Sequence, residues 1–252
     1  ALYVGGAFNQ IGGVGANNIA RWDGSQWSSL GAGTNGPVSA VTVFDPDGAE
    51  PGGSVLIAVG SFSLAGGQPA ANVAAWDGST WSPLGLGTDG SLKLAADSKP
   101  GTPSPRLFVT GSFASAGGAP SPGVAMWNGV SWTAPAQGPE NGQVESLAAF
   151  DEDDSGPLAA AMFVGGSFGS VGGNTNLRKL AKWDGQVWST VGPPVVTFSG
   201  SFVSEIDVHP YPRTGLNLLF FVHANEPVNE QKVGAWNGAC RVQLGYLKWG
   251  AR

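Results

Sequence analysis

Charge is scarce in this 252-residue chain: 12 Lys plus Arg and 18 Asp plus Glu make up 12% of it, about half the share of an ordinary globular domain. The net charge is −6, and the basic residues form no stripe that could neutralise a phosphate backbone, so nucleic acid is excluded as a partner. A single cysteine, Cys240, rules out an internal disulfide and a cysteine-based structural zinc site. No apolar run approaches the roughly 18 residues that cross a bilayer. The most apolar window, Leu216–Val222, has the length of a strand, and no membrane insertion is expected. No cleavable leader is visible and the chain opens at Ala1 without Met, the expectation for a processed product or a fragment. Low charge, abundant Gly, Ser and Thr, and stability reached without thiols point to an exported bacterial protein, secreted or at the cell surface.

What is abundant is glycine, with 41 residues, joined by 18 prolines and 10 tryptophans. Glycine costs a helix interior on the order of 1 kcal/mol per residue, so short strands and tight turns are favoured and the expected class is all-β. Self-comparison shows why the composition is so skewed. LYVGGAFNQIGGVGANNIARWDGSQWSSLG from Leu2 recurs as LIAVGSFSLAGGQPAANVAAWDGSTWSPLG from Leu56, LFVTGSFASAGGAPSPGVAMWNGVSWTAPA from Leu107 and MFVGGSFGSVGGNTNLRKLAKWDGQVWSTVG from Met162. In each copy an aromatic (Phe8, Phe62, Phe113, Phe168) precedes a glycine pair, and two tryptophans five residues apart follow it. These are Trp22 and Trp27, Trp76 and Trp81, Trp127 and Trp132, and Trp183 and Trp188. A fifth, eroded copy keeps KVGAWNG with Trp236 and has Arg241 in the second position.

Periods of 51 to 56 residues made of short strands predict a β-propeller, because one such unit cannot bury both faces alone. Each unit reads as four antiparallel strands. The inner ones are VSAVTVF from Val38, SLKLAA from Ser91, VESLAAF from Val144 and VSEIDVH from Val203. The Asp-Gly or Asn-Gly pair after the first tryptophan, at Asp23, Asp77, Asn128, Asp184 and Asn237, is a hairpin signal joining strands three and four. Glycines in the second strand suit crowded neighbours, and the nine tryptophans in fixed positions suit the wider gaps between blades.

Paired glycines after an apolar strand, followed by spaced aromatics, resemble the kelch blade signature. VGGSF, ARWDG and W-S-x-L-G are closer still to kelch-like repeats of predicted exported bacterial proteins. The resemblance implies one propeller domain over residues 1–252. Its blades run about 1–33, 34–87, 88–138, 139–194 and 195–245, and residues 244–249 supply a closing strand. The first blade has no inner strand of its own, and LGYLKW (Leu244–Trp249) is expected to return and pair with Leu2–Phe8, latching a five-bladed ring and removing an open edge.

Few groups suggest chemistry. Asp23, Asp77 and Asp184 invite a glycosidase reading, but asparagine stands at two of the five equivalent positions and serves a turn equally well. Asp151, Asp153 and Ser155 alternate as the first ligands of a calcium loop do, yet no twelfth-position acid completes one, and a solvated acidic turn explains the same residues. His209 and His223, near Glu205, Asp207 and Glu226, raise a metal-dependent enzyme, although such sites need three or more convergent ligands. The expectation is therefore a non-catalytic secreted or cell-surface module without a required cofactor, contacting protein or polysaccharide and capable of self-assembly. Its partner site is placed on the divergent loop Asn225–Lys232, with Asn225, Glu226, Asn229 and Glu230. A lectin is the alternative if the rims expose Asn17, Asn18, Asn72 or Asn174 beside an aromatic.

Overall fold

The computed structural model describes residues 1–46, 53–97, 106–135, 137–152, 160–191, 201–210, 217–225, 230–236 and 241–248. It is all-β, and its contacts divide the chain into two compact units, Ala1–Ala136 and Gln137–Arg252.

The first unit holds three antiparallel meanders in chain order. The first sheet has three strands, Leu2–Gly5, Ile19–Trp22 and Trp27–Ser29. The second runs Val38–Phe44, Val55–Gly60, Val73–Trp76 and Trp81–Pro83. The third runs Ser91–Asp97, Leu107–Ser112, Val124–Trp127 and Trp132–Thr133. Strands such as Val55–Gly60 read as unbroken apolar runs because a sheet lies against each of their faces, and from Leu56 onward every residue is buried. The core accordingly lies between sheets. Ile19 and Leu30 of the first repeat pack with Val38, Leu56, Ala58 and Trp81 of the second, while Ile57 and Val59 pack with Leu107, Val109 and Trp127 of the third.

The second unit repeats the plan with Val144–Phe150, Ala161–Gly166, Leu180–Trp183 and Trp188–Ser189. Its other sheet is Ser201–Pro210, Asn217–Asn225, Glu230–Trp236 and Arg241–Lys248. Phe150, Phe163 and Leu180 meet Val203, Ile206 and Leu219 between them.

Two devices recur. Every inner strand carries a register shift near its start, between Val38 and Ala40, Leu92 and Leu94, Val144 and Ser146, and Val203 and Glu205, which bends and twists it. At two of the places where one sheet's second strand approaches the next sheet's inner strand, there is no room for a side chain. A Cβ on Gly5 would lie 2.5 Å from Val38 Cγ1, and one on Gly165 would lie 2.5 Å from Val203 Cγ1.

The glycine pairs form the tips of two-residue hairpins that project from the meanders, such as Leu64–Ala65 with Gln68–Pro69. Gly66 and Gly67 have φ of +60° and +81°, the signs a tight primed turn demands.

The expected pairing of Leu244–Trp249 with Leu2–Phe8 is not seen among the described residues. Leu244–Lys248 belongs to Arg241–Lys248, which pairs with Glu230–Trp236 as the fourth strand of the last sheet, and Trp249 lies outside the described residues. The eroded repeat has lost its glycine-pair excursion, so its third strand is seven residues long and its hairpin partner extends equally far. Leu2–Gly5 pairs with Ile19–Trp22 alone among the described residues.

Candidate functional site

The repeated acidic turns are built from their own backbone. Asp23 Oδ1 accepts hydrogen bonds from the amides of Ser25 (2.7 Å) and Gln26 (2.9 Å) and from the Ser25 hydroxyl. Those donors, the Gln26 amide foremost, hold its pKa down at about 2. Asp77 accepts the amides of Thr80 and Ser79 and both hydroxyls, and its carboxyl is pulled far below the usual range. Asn128 accepts the amides of Val130 and Ser131 in the same way, and Asp184 those of Gln186 and Val187. Asp23 and Asp77, stabilised in this way, are poor proton carriers near neutrality.

The tryptophans join repeats. Each pair packs within its sheet, tilted by 48–53° at centroid distances of 5.2 Å for Trp22–Trp27 and 5.3 Å for Trp76–Trp81 and Trp127–Trp132, and stacked at 6.2 Å for Trp183–Trp188. The second indole then donates backwards: Trp81 Nε1 to the Leu30 carbonyl (2.7 Å), Trp132 Nε1 to Leu84 (2.8 Å) and Trp188 Nε1 to Gln137 (2.9 Å). Trp81, Trp127 and Trp183 are buried and the other five half-buried. Trp236 is placed by its backbone, opposite Leu219 and Arg241.

A second linkage lies in the segments between repeats, where GAGTNG (31–36) and GLGTDG (85–90) correspond. Asn35 Oδ1 accepts the amides of Ser63 (2.9 Å) and Leu64 (2.8 Å), and its Nδ2 donates to Ser63 Oγ. Asp89 accepts the amides of Ala114 and Ser115 in the next repeat, and these two bonds, Ser115's first, lower its pKa. Glu140 reaches Ser170 Oγ and the Gly173 amide. The sequence reading passed over these three residues, although the recurring hexapeptide was the signal.

Above the first such clamp lies an open depression of about 730 Å³, lined by Phe8, Asn9, Asn17, Asn18, Ala32, Asn35 and Leu64 among others. Asn18, at φ +64°, is committed to the scaffold: Oδ1 accepts the Phe8 amide and Nδ2 donates to the Thr34 carbonyl. Asn72 repeats this with Phe62 and Thr88. Asn17 donates Nδ2 to the Ala32 carbonyl. Asn174 caps the short 3₁₀ helix Thr175–Leu177 through the Asn176 amide.

The remaining candidates separate. His223 pairs with Val203 and His209 with Leu218 on adjacent antiparallel strands, which sets the two histidines near opposite ends of the hairpin. At about 3.3 Å per residue that is roughly 17–20 Å, beyond the span of two imidazoles on one ion. Among the described residues no group of three His, Cys, Asp or Glu converges. Asp151 follows the strand Val144–Phe150 and is itself engaged, the neighbouring Glu152 forms an ion pair with Lys182, and Asp153 and Ser155 lie outside the described residues. The supposed loop from Asn225 is shorter than expected: Asn225 and Glu230 end two strands and pair with each other, and Lys232 pairs with His223. The loss of the glycine pair lengthens this hairpin. Glu226, Asn229 and Cys240 lie outside the described residues.

No family model matches the chain. No curated protein matches it either. Among solved structures it is similar to a fucose-specific lectin from Aleuria aurantia (Hg-derivative form), with a TM-score of 0.40 and 14% identity over 90% of this chain and 70% of that one.

Proposed function

We propose that the five sheets are blades of a kelch-like β-propeller serving as a non-catalytic, secreted or cell-surface module that binds protein or polysaccharide through its loops. The observation that carries this reading is the fate of the recurring polar side chains. Asp23, Asp77, Asp184, Asn35 and Asp89 spend their oxygens on backbone amides of a turn or of the next repeat. Groups held in this way build a scaffold, whereas acid–base chemistry needs a group free to exchange its proton. The tryptophans support the same reading, since in the first unit each inter-repeat indole bond joins one sheet to the exit of the sheet before it.

The test pairs binding with turnover. The fluorescently labelled chain is expected to bind intact bacterial surfaces saturably and to be displaced by unlabelled protein, while leaving a panel of chromogenic glycosides and esters unchanged. Saturable binding absent from every surface, or turnover that persists after repurification, would remove the proposal.

A further inference from the structure

The depression between the first two sheets differs from the equivalent place between the second and third in ways that the scaffold does not require. Phe8, Asn18, Gly33 and Thr34 have the counterparts Phe62, Asn72, Gly87 and Thr88 and hold the same backbone. Asn9, Asn17, Ala32, Asn35 and Leu64 instead face Ser63, Ala71, Leu86, Asp89 and Ser115 in the next repeat. Leu86 leans towards Gly118, where a Cβ would lie 3.5 Å from Leu86 Cδ1, and Ala32 leaves the matching space beside Gly67 open.

The lining then selects its ligand by chemistry. It contains no ionisable side chain, so an anion or cation entering it would shed water without gaining a counter-charge. Its main-chain groups are largely spent: the amides of Asn18, Thr34 and Asn35 donate to Phe8, Asn17 and Leu64 carbonyls, which leaves little edge for an extended peptide to extend. Unspent are side-chain amides. Among the described residues the exposed Asn9 amide and Asn17 Oδ1 have no hydrogen-bond partner, and Asn35 Nδ2 has one N–H in use and a second to give. Beside them stand the half-buried Phe8 and Leu64, which is 37% exposed.

We propose that this depression binds a neutral saccharide, its vicinal hydroxyls paired with the amides of Asn9, Asn17 and Asn35 and its apolar face set against Phe8 and Leu64. Each hydroxyl both donates and accepts, as does each amide, and a sugar ring carries the C–H face that an apolar wall needs. The cavity lies within the roughly 300–1,000 Å³ of small-molecule sites, and its openness suits the terminal one or two residues of a longer glycan. The proposal rests on the binding-module reading and names the partner.

The experiment is calorimetric titration of the 252-residue chain with neutral hexoses, deoxyhexoses, N-acetylhexosamines and their disaccharides. Uronic acids, sulfated sugars and a mixed peptide library are titrated alongside. A neutral sugar is expected to bind with one site. Ala32→Leu, which installs the residue already tolerated at Leu86, should weaken it at least tenfold with an unchanged thermal midpoint, and Asn9→Ala with Asn17→Ala should do the same, while Leu86→Ala keeps full affinity. Preference for charged sugars or peptides, neutral-sugar binding that survives Ala32→Leu and the asparagine changes, or no binding by any compound would each overturn the assignment. Saturable attachment to cell surfaces that persists beside such a result leaves the module reading standing, and its absence fells both.

Discussion

Replacing Trp81 by phenylalanine isolates the bond that ties the second sheet to the first. Trp81 is 8% exposed, packs at a tilt against Trp76 at 5.3 Å, and donates Nε1–H at 2.7 Å to the carbonyl of Leu30, itself 1% exposed. Phenylalanine keeps an aromatic ring over Gly66 but removes that bond and leaves the Leu30 carbonyl with the Gly33 amide (3.1 Å) alone, which costs about 0.5–1.5 kcal/mol. The missing part of the indole adds about 1 kcal/mol of lost packing, for a total of roughly 1.5–2.5 kcal/mol. The matched control is Trp27→Phe. Trp27 holds the same position in the first sheet, is half-buried, and has no indole hydrogen bond among the described residues, so its replacement should cost about 1 kcal/mol or less. Urea unfolding followed by far-UV circular dichroism reads both, with the midpoint moving at constant slope. If Trp81→Phe proved no more costly than Trp27→Phe, the indole would not be joining the sheets, and the account of what holds the repeats together would be wrong.

Two further outcomes follow from the turns. The folded pKa of Asp23 is about 2 against an ordinary 3.8, and that of Asp77 is lowered further, so the stability these carboxylates contribute is complete above about pH 4 and disappears as the pH falls towards 2. Urea midpoints measured from pH 6 to pH 2 should fall across that window, and Asp23→Asn with Asp77→Asn should flatten the fall while changing little at pH 6, as Asn128 already fills this turn. Within one glycine pair, Gly66→Ala should destabilise more than Gly67→Ala. Both sit at positive φ, worth about 1–2 kcal/mol of strain in an alanine, but only at Gly66 does the new Cβ meet Trp81, 2.9 Å from Cδ1, and thermal unfolding of the two variants should separate them.

The sheets were legible because their chemistry recurs. The inner strands beginning at Val38, Ser91 and Val144 and the hairpins joining Trp22 to Trp27 and Trp76 to Trp81 stand where the repeat puts them, since a tryptophan, an Asp-Gly turn and a buried apolar run each admit few local structures. The extent of the last sheet was illegible for the converse reason. Without a glycine pair in the last repeat, nothing in the sequence marks where Glu230–Trp236 must stop, and the pairing simply continues to Lys248. The histidines, fourteen residues apart in sequence, are sent to opposite ends by the antiparallel register of their strands, which spacing alone does not show. Asn35 and Asp89 were missed because what they do depends on a reach of 25 to 29 residues, which spacing within one repeat does not reveal.

This contrast also explains where function can reside in such a chain. A residue type that the first two repeats share, such as Asn18 and Asn72 or Thr34 and Thr88, is constrained by backbone bonds made identically each time, and changing it harms the fold before it alters any ligand. Freedom is left to positions whose side chains carry none of those bonds, and the depression collects several of them: Asn9 against Ser63, Asn17 against Ala71, Ala32 against Leu86. Even Asn35 and Asp89 fit this division, because an amide oxygen and a carboxylate accept the same two backbone amides while differing by a full charge at the rim. The neutral rim at the first junction is thus a choice made independently of the scaffold, and an Asn35→Asp exchange should leave the sheets intact while changing what the depression admits.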